Sequence, residues 1–297
     1  MNYTTTLATT TATLERAFPF TVDKFPLSGP DGMKTDYYGL FRSDGKQVGG
    51  GSVSAKYLPH TLDDVATLVE SSRNMFPGDP DAEFTLHCGW RDAHCVTLSP
   101  SNDFRREVFD NDSIFPRLVI KAGYDGRAFS ASLGMYRDVC RNLSIPEQVK
   151  GINARFRHTG SLRGNLDELN QTFRNLSGGW DALVNHAKQM EDKRVNIAHI
   201  LNEVYGSPKD DDTTRTKASH RRRTEAIVTR LLKERDQLHR PSFSPGVASG
   251  WEMFNAVQGY EQHDKNRRKG TTTFDRAMIA LSAAPVSAVE RLVLMAA

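Results

Sequence analysis

The sequence has few cysteines and no long apolar run. Its three cysteines, Cys88, Cys95 and Cys140, are an odd number in 297 residues, which argues against a disulfide framework and favours a reducing compartment. No apolar stretch approaches the ~20 residues that a membrane-spanning helix needs. The Thr-rich residues 1–18 have neither the basic start nor the apolar core of a secretory signal. We therefore expect a cytoplasmic protein with no membrane partner.

A large net charge is also lacking, because 39 Lys and Arg residues oppose 36 Asp and Glu residues, for a formal net charge of +3. The two signs are unevenly distributed along the chain. Residues 1–116 hold 10 basic and 16 acidic residues, whereas residues 117–297 hold 29 and 20. The second part of the chain is therefore basic, which favours a polyanionic partner.

Motifs of catalytic and cofactor-binding sites are missing as well. No His-Glu-x-x-His, Gly-x-Ser-x-Gly or Gly-x-Gly-x-x-Gly pattern occurs, and no Gly-Lys-Ser/Thr follows the glycines at 49–51. The pairs His87-Cys88 and His94-Cys95 do not have the spacing of a zinc site. We expect no enzyme activity, no cofactor and no metal, and keep a metal-dependent nuclease as an alternative.

The hydrophobic pattern predicts an α+β protein. Residues 1–35, which are rich in Thr, Pro and Gly, are expected to form a loose segment. Residues 36–145 are expected to form a mixed or antiparallel β region with a short helix after Thr61. Residues 146–297 are expected to be mainly helical and to pack with the β region in one compact unit.

The same pattern gives more local expectations. Residues 37–57 predict a hairpin, and residues 82–88 and 94–99 predict strands. Residues 104–116 are expected to be irregular. The sequence Ser177-Gly178-Gly179 is expected to separate two helices.

Basic residues are concentrated at residues 117–174, 214–240 and 265–269. The first segment holds ten Lys and Arg residues against five acids, with aromatic residues among them, and the second holds nine against three. Guanidinium groups hold phosphates, while aromatic and guanidinium planes stack on exposed bases, so this mixture suits a single strand. No helix-turn-helix, zinc finger or RNA-recognition signature indicates readout of a specific sequence.

We predict a cooperative, sequence-tolerant protein that binds single-stranded DNA, in which cations neutralise phosphates and two tyrosines stack on bases. Cooperativity implies a homo-oligomer, since one protomer contacts few nucleotides. The predicted binding residues are Arg117, Lys121, Tyr124, Arg127, Tyr136, Arg137, Arg141, Arg155, Arg157, Arg163, Arg221, Arg222, Arg223, Arg230, Lys265, Arg267 and Arg268.

Three blocks of the sequence, residues 41–70, 117–143 and 250–268, resemble successive blocks of a phage- and plasmid-borne family of unknown function. The first block carries an Arg-Ser-Asp hairpin, the second an Arg-x-x-Cys-x-Asn element, and the third a Trp-x-x-x-Asn-Ala-Val-x-x-Tyr-x-x-His element. The residues matching the second and third blocks are Arg137, Cys140, Asn142, Trp251, Asn255, Ala256, Val257, Tyr260 and His263. Arg141 stands where a small polar residue is commoner in the family, and it adds positive charge.

The resemblance implies a phage or mobile-element protein that acts in the host cytoplasm. By size and by its basic second part, the chain is similar to the single-stranded-DNA-binding RNA polymerase cofactors of lytic podoviruses that carry a giant virion RNA polymerase. That similarity implies a phage RNA polymerase as a second partner, in viral transcription and replication. A strand-annealing recombination protein and a protein that blocks a host factor are further alternatives.

Overall fold

The computed structural model of the protein consists of two compact units, each built from several segments of the chain. The first unit comprises Met1–Ser101, Arg117–Leu133 and Gly151–Gly179, and the second Asn102–Pro116, Gly134–Lys150 and Trp180–Ala297. The structure describes residues 10–16, 18–73, 75, 83–88, 94–99, 102–124, 129–156, 166–266, 269, 271 and 273–296.

A three-stranded antiparallel sheet belongs to the first unit, in the order β1 (Val22–Ser28), β2 (Lys34–Arg42) and β3 (Gln47–Ser54). Strands β2 and β3 confirm the predicted hairpin. Strand β1 lies in the segment expected to be loose. Pro26 is compatible with β1 because this is an edge strand, where one missing backbone donor is tolerated. The buried cluster of this unit consists of Val22, Leu40, Val48, Val53, Tyr57 and Tyr124.

The predicted short helix is α1 (Leu62–Arg73), which packs against strand β5 (His94–Ser99). A reciprocal pair of hydrogen bonds fixes its start. The Asp64 backbone N–H donates to Thr61 Oγ1 at 3.2 Å, and the Thr61 backbone N–H donates to Asp64 Oδ2 at 2.9 Å. This arrangement satisfies two backbone donors that a helix N-terminus leaves unpaired.

A second sheet of the first unit contains β5 together with β4 (Glu83–Cys88), β7 (Asp112–Ala122), β8 (Phe129–Arg137) and β10 (Asn153–Phe156). The order of these strands is β10-β8-β7-β5-β4. Strands β4 and β5 confirm the two predicted strands. Strand β7 begins, and strand β8 ends, among residues of the second unit.

In the second unit, β6 (Arg106–Phe109) pairs with the start of β7, and β9 (Asn142–Ser144) pairs with the end of β8. The expectation that residues 104–116 are irregular was therefore wrong. The turn between β6 and β7 uses Asn111 with a left-handed φ of 54°. Asn tolerates that conformation better than most residues do. A third pairing joins β11 (Arg194–Asn196) to β12 (Val247–Ser249).

The rest of the second unit is helical, which confirms the α+β class. Its helices are the latter part of α2 (Leu166–Asp192), then α3 (Ile197–Tyr205), α4 (Thr214–Gln237), α5 (Gly250–Gly259), α6 (Thr273–Ala280) and α7 (Ala284–Met295). A π-helical turn, Tyr260–Asp264, follows α5. Every residue of α5 is buried, and this helix packs against α4 and α7.

Helix α2 continues through Gly178 and Gly179, where two separate helices were expected. At Gly179 an added Cβ would lie 2.9 Å from Ile152 Cγ2 and 3.5 Å from the Gly151 carbonyl oxygen. This glycine is therefore explained by the close approach of another segment. It is not a helix break, although both roles leave the same sequence pattern.

Gly250, at the start of α5, has even less room, since an added Cβ would lie 2.7 Å from the Met190 carbonyl oxygen and would overlap Val293. We expect Gly250→Ala to lower the free energy of unfolding by about 1–3 kcal/mol, because the backbone has to move to relieve the overlap. Chemical denaturation measures this loss.

The matched control is Gly178→Ala, in the exposed part of α2, where an added Cβ would meet nothing within 4 Å. We expect it to raise the free energy of unfolding by about 0.5–1 kcal/mol, because alanine loses less backbone entropy in a helix. Equal effects of the two substitutions would contradict the role assigned to Gly250.

Candidate nucleic-acid interface

A carboxylate with no solvent exposure lies at the start of β7 in the second unit. Asp112 accepts two hydrogen bonds from Arg137, at 2.7 and 2.8 Å, one from Arg240 at 2.7 Å and one from the Trp251 indole at 3.0 Å. Burial by itself raises the pKa of Asp112, but the charge and hydrogen bonds of Arg137, with the charge of Arg240, hold it below its ordinary value. Asp112 is therefore ionised and joins β8, α5 and the loop after α4.

Further carboxylates extend this buried network in two directions. In one direction, Arg240 donates to Glu191 at 2.8 Å, and Ser249 Oγ donates to the same carboxylate at 2.8 Å. In the other direction, Arg137 donates to Glu234 on α4. Each of the two arginines thus lies between two carboxylates, which offsets the free-energy cost of removing its charge from water.

The network reaches the surface along α4. Arg230 donates to Glu234 at 3.3 Å and forms a double hydrogen bond with Asp264, at 2.8 and 2.7 Å. Asp264 is the last residue of the π-helical turn after α5. The positive charge of Arg230 is therefore shared between two carboxylates of the protein itself.

The two elements that resemble the phage and plasmid family contact each other around this network. Asn142, at the start of β9, donates to the Asn255 carbonyl oxygen of α5 at 3.0 Å, across 113 residues of sequence. The Arg137 guanidinium carbon lies 5.8 Å from the centre of a Trp251 ring. Residues of both elements thus serve to join the end of β8 and β9 to α5.

A groove of about 700 Å³ lies beside the C-terminal half of α4, and we name it the α4 groove. Its lining includes three exposed cations, Arg141, Arg222 and Lys233, together with Cys140 and His263. Among the residues that the structure describes, none forms an ion pair or a hydrogen bond with the side chains of these three cations. Their charges face solvent in the groove.

Carboxylates line the α4 groove as well, but each lies near a cation. Glu234 and Asp264 contact Arg230, as described above, and Glu225 Oε1 lies 3.7 Å from Arg221 Nε. The pairs formed by Arg230 are partly buried, whereas the Glu225 pair is exposed and weak. The lining therefore holds four cations and three carboxylates, and the three cations without a partner are exposed.

Neither Cys140 nor His263 is charged in the α4 groove at neutral pH. Burial raises the pKa of the Cys140 thiol to about 11, against the opposing charge of Arg137. Burial, and then the charge of Arg230, lowers the pKa of His263. The groove thus holds a thiol and a neutral imidazole, and a nucleophilic cysteine would need a thiolate.

Arg141 occupies a left-handed position in the turn between β8 and β9, with φ of 55°. Glycine and asparagine adopt this conformation more readily than arginine does. In this chain the strained position carries an exposed cation at the α4 groove.

The seventeen residues predicted to bind nucleic acid fall into three groups. Outside the described residues lie Arg127, Arg157, Arg163, Arg267 and Arg268. The first unit contains Arg117, Lys121, Tyr124 and Arg155. The second unit contains Tyr136, Arg137, Arg141, Arg221, Arg222, Arg223, Arg230 and Lys265.

Two of the predicted roles need correction. Tyr124 is 3% exposed, and its ring stacks on the His60 ring with 4.1 Å between centroids, so it offers no face to a base. Arg137 is 2% exposed, and its guanidinium binds carboxylates of the protein itself. An interleaved aromatic or arginine has the same sequence pattern in a core as on a surface, which is why the prediction failed here.

The other predicted residues differ in exposure and in partners. Arg223 lies over the Tyr205 ring at 4.7 Å, and Lys265 contacts Glu261 at 2.6 Å. The α4 groove brings together Arg141, Arg222 and Arg230. Arg155 is exposed. Three others are partly buried, namely Arg117, Lys121 and Tyr136.

Sequence reasoning did not single out Lys233, although a signal for it was present. Eleven residues separate Arg222 from Lys233, which is close to three turns, so the two side chains lie on one face of α4. Asp112 and Glu191 were missed as well. A buried carboxylate with distant partners carries no local sequence signal.

The pairs His87-Cys88 and His94-Cys95 lie on β4 and β5, where His87 is opposite Cys95 and Cys88 is opposite His94. In the part of the chain that the structure describes, no group of three or more His, Cys, Asp or Glu residues could hold a metal ion. None of the described helices combines the length and the apolar composition that crossing a membrane requires.

Residues 90–282 match the model of a protein family described as "Domain of unknown function (DUF932)". The match covers more than half of the chain and includes the lining of the α4 groove. No curated protein and no solved structure matches the chain.

The buried network leads to a prediction for Arg137. We expect Arg137→Ala to lower the free energy of unfolding by about 3–5 kcal/mol, because it leaves Asp112 and Glu234 buried with fewer cationic partners. Urea denaturation followed by circular dichroism measures the loss.

Arg174→Ala is the control, since Arg174 is an exposed arginine on α2. Its effect should stay within about 0.5 kcal/mol. A loss at Arg137 as small as that of the control would mean that the network contributes little to folding.

Proposed function

We propose that this chain, which belongs to the DUF932 family, is a non-enzymatic, sequence-tolerant protein that binds single-stranded DNA. The family description names no function, so the proposal depends on the residues of this chain. The observation that carries it is the α4 groove, where Arg141, Arg222 and Lys233 are exposed with no acidic partner among the described residues.

The chemistry of the three cations supports a phosphodiester ligand. Each can neutralise one phosphate and release its counterions, which is the main source of sequence-independent affinity for nucleic acids. The two arginines can in addition stack their guanidinium planes on unpaired bases. Because a cation contacts every base sequence alike, such a site is tolerant of sequence.

The shape of the groove favours a single strand over a duplex. A flexible strand can follow a concave, positively charged groove and turn its bases toward the wall. A duplex keeps its bases paired and presents phosphates on a stiff, convex cylinder, so fewer of them can reach the three cations at once. The neutral Cys140 and His263 side chains leave room for a base without adding negative charge.

We further propose that the protein binds cooperatively as a homo-oligomer in the host cytoplasm and brings a phage RNA polymerase to single-stranded DNA. The support is the resemblance to the phage cofactor class (Drc), together with an acidic first part of the chain that could contact the basic second part of a neighbouring protomer. Co-purification of the polymerase with the tagged full chain from infected cells tests the partner, and its absence would contradict this part of the proposal.

The binding proposal makes a prediction for strand type and salt. We expect polydeoxythymidine to bind more tightly than a duplex of equal length in fluorescence anisotropy titrations. With at least three phosphates neutralised, affinity for the single strand should fall at least about twentyfold between about 50 and about 200 mM salt, since the slope is about −0.7 per phosphate. Equal affinity for both ligands would contradict single-strand binding.

Lys233→Gln tests the groove itself. We expect about fivefold weaker binding to polydeoxythymidine and a salt dependence that is shallower by about 0.7, because one phosphate contact is lost. Lys188→Gln, an exposed lysine on α2, is the matched control and should leave both quantities nearly unchanged. Similar losses in the two variants would mean that the charge acts at long range and that the α4 groove is not the site.

A further inference from the structure

A second hollow, of about 400 Å³, lies beside the N-terminal half of α4, and we name it the Tyr205 hollow. Its lining includes Tyr205, Arg215, Ser219, His220 and Arg223. All of these residues belong to the second unit, as the α4 groove does.

The Tyr205 hollow and the α4 groove lie on the same side of α4. Thr216, Arg223, Arg230 and Gln237 follow one another at intervals of seven residues, or nearly two turns, so their side chains share one side of the helix. The first two line the Tyr205 hollow and the last two line the α4 groove. From residue 215 to residue 237 this side of the helix is about 33 Å long, at 1.5 Å per residue.

The groups of the Tyr205 hollow suit a phosphate. Arg215 is exposed and forms no ion pair with any described residue. Arg223 lies over the Tyr205 ring at 4.7 Å, and the Tyr205 hydroxyl donates to Glu261 at 3.3 Å, so the ring holds the guanidinium in place. Within the described part of the chain, His220 Nε2 has no hydrogen-bond partner.

One carboxylate, that of Asp212, also lines the Tyr205 hollow. It is already part of a turn, because Asp212 Oδ2 accepts a hydrogen bond from the Lys209 backbone N–H at 2.7 Å. The hollow therefore contains two arginine charges and one carboxylate charge, and that carboxylate already accepts a hydrogen bond in the turn.

We infer that α4 carries two phosphate-binding subsites, the Tyr205 hollow and the α4 groove, and that one DNA strand runs along the helix through both. This inference depends on the proposed single-strand binding and defines the length of the ligand. A stacked strand has one phosphate per about 3.4 Å, so about ten nucleotides span the 33 Å, and fewer do so when the strand is extended. Short oligonucleotides occupy the α4 groove alone, because it has more unpaired cations than the Tyr205 hollow.

The test compares oligodeoxythymidines of about four and about sixteen nucleotides, the range of site sizes for single-strand-binding modules. In anisotropy titrations of the full chain, Arg215→Gln should weaken binding of the longer oligonucleotide about fivefold and change that of the shorter one less than about twofold. Thermal unfolding should be unchanged, since Arg215 is exposed. Equal losses for both lengths, or a loss for neither, overturn the two-subsite inference.

Lys217→Gln is the matched control from the same turn of α4. Lys217 is exposed, does not line either hollow, and donates to the Asp210 carbonyl oxygen at 2.8 Å. It should change both affinities by less than about twofold, and a length-dependent loss equal to that of Arg215→Gln overturns the inference. If the wild-type chain binds neither oligonucleotide, the proposed function itself fails. If Lys233→Gln weakens binding but Arg215→Gln does not, only the second subsite is wrong.

Discussion

The buried charge of Asp112 is the constraint on which the second unit depends. An ionised carboxylate without solvent exposure is stable only where several donors converge on it, and here they come from β8, from α5 and from the loop after α4. A shift of β8 or of the loop after α4 would remove a cationic partner of Asp112, and a shift of α5 would remove its hydrogen bond from the Trp251 indole. Nonpolar packing alone tolerates small shifts, whereas this carboxylate fixes the register of all three elements.

The same network distinguishes arginines that pair with carboxylates inside the protein from those whose charge faces solvent. Arg137 and Arg240 are buried against carboxylates of this network, and Arg235 is buried against Glu252. Arg230 is shared between Glu234 and Asp264. The charge of these residues is neutralised within the protein. The charge that can act on a ligand belongs to the residues left outside the network, of which Arg141, Arg222 and Lys233 meet in one groove. A net charge of +3 is therefore a poor guide to function, because it does not distinguish cations paired inside the protein from cations that face solvent.

Local patterns predicted much of the fold and little of the site. The hairpin of β2 and β3, the capped start of α1 and the basic helix α4 follow from turn residues, capping residues and periodicity, which act within a few positions. Contacts between distant residues are not encoded locally. Arg137 and Glu234 are 97 residues apart, and no sequence signal marks them as partners. Gly179 shows the same limit, since a glycine required by tertiary packing resembles a helix break.

In the proposed function, the spacing of the cations along α4 accounts for binding without sequence readout. Arg215 and Arg222 are about 10 Å apart along the helix axis, and Arg222 and Lys233 about 16 Å. Both separations exceed the Debye length of about 8 Å at physiological ionic strength, so the charges of these cations are largely screened from one another. Arg137 and Arg240 are in the opposite situation, since they share Asp112 and cannot act separately. In the proposed function, each separated cation contacts one phosphate, and phosphates are the same in every base sequence.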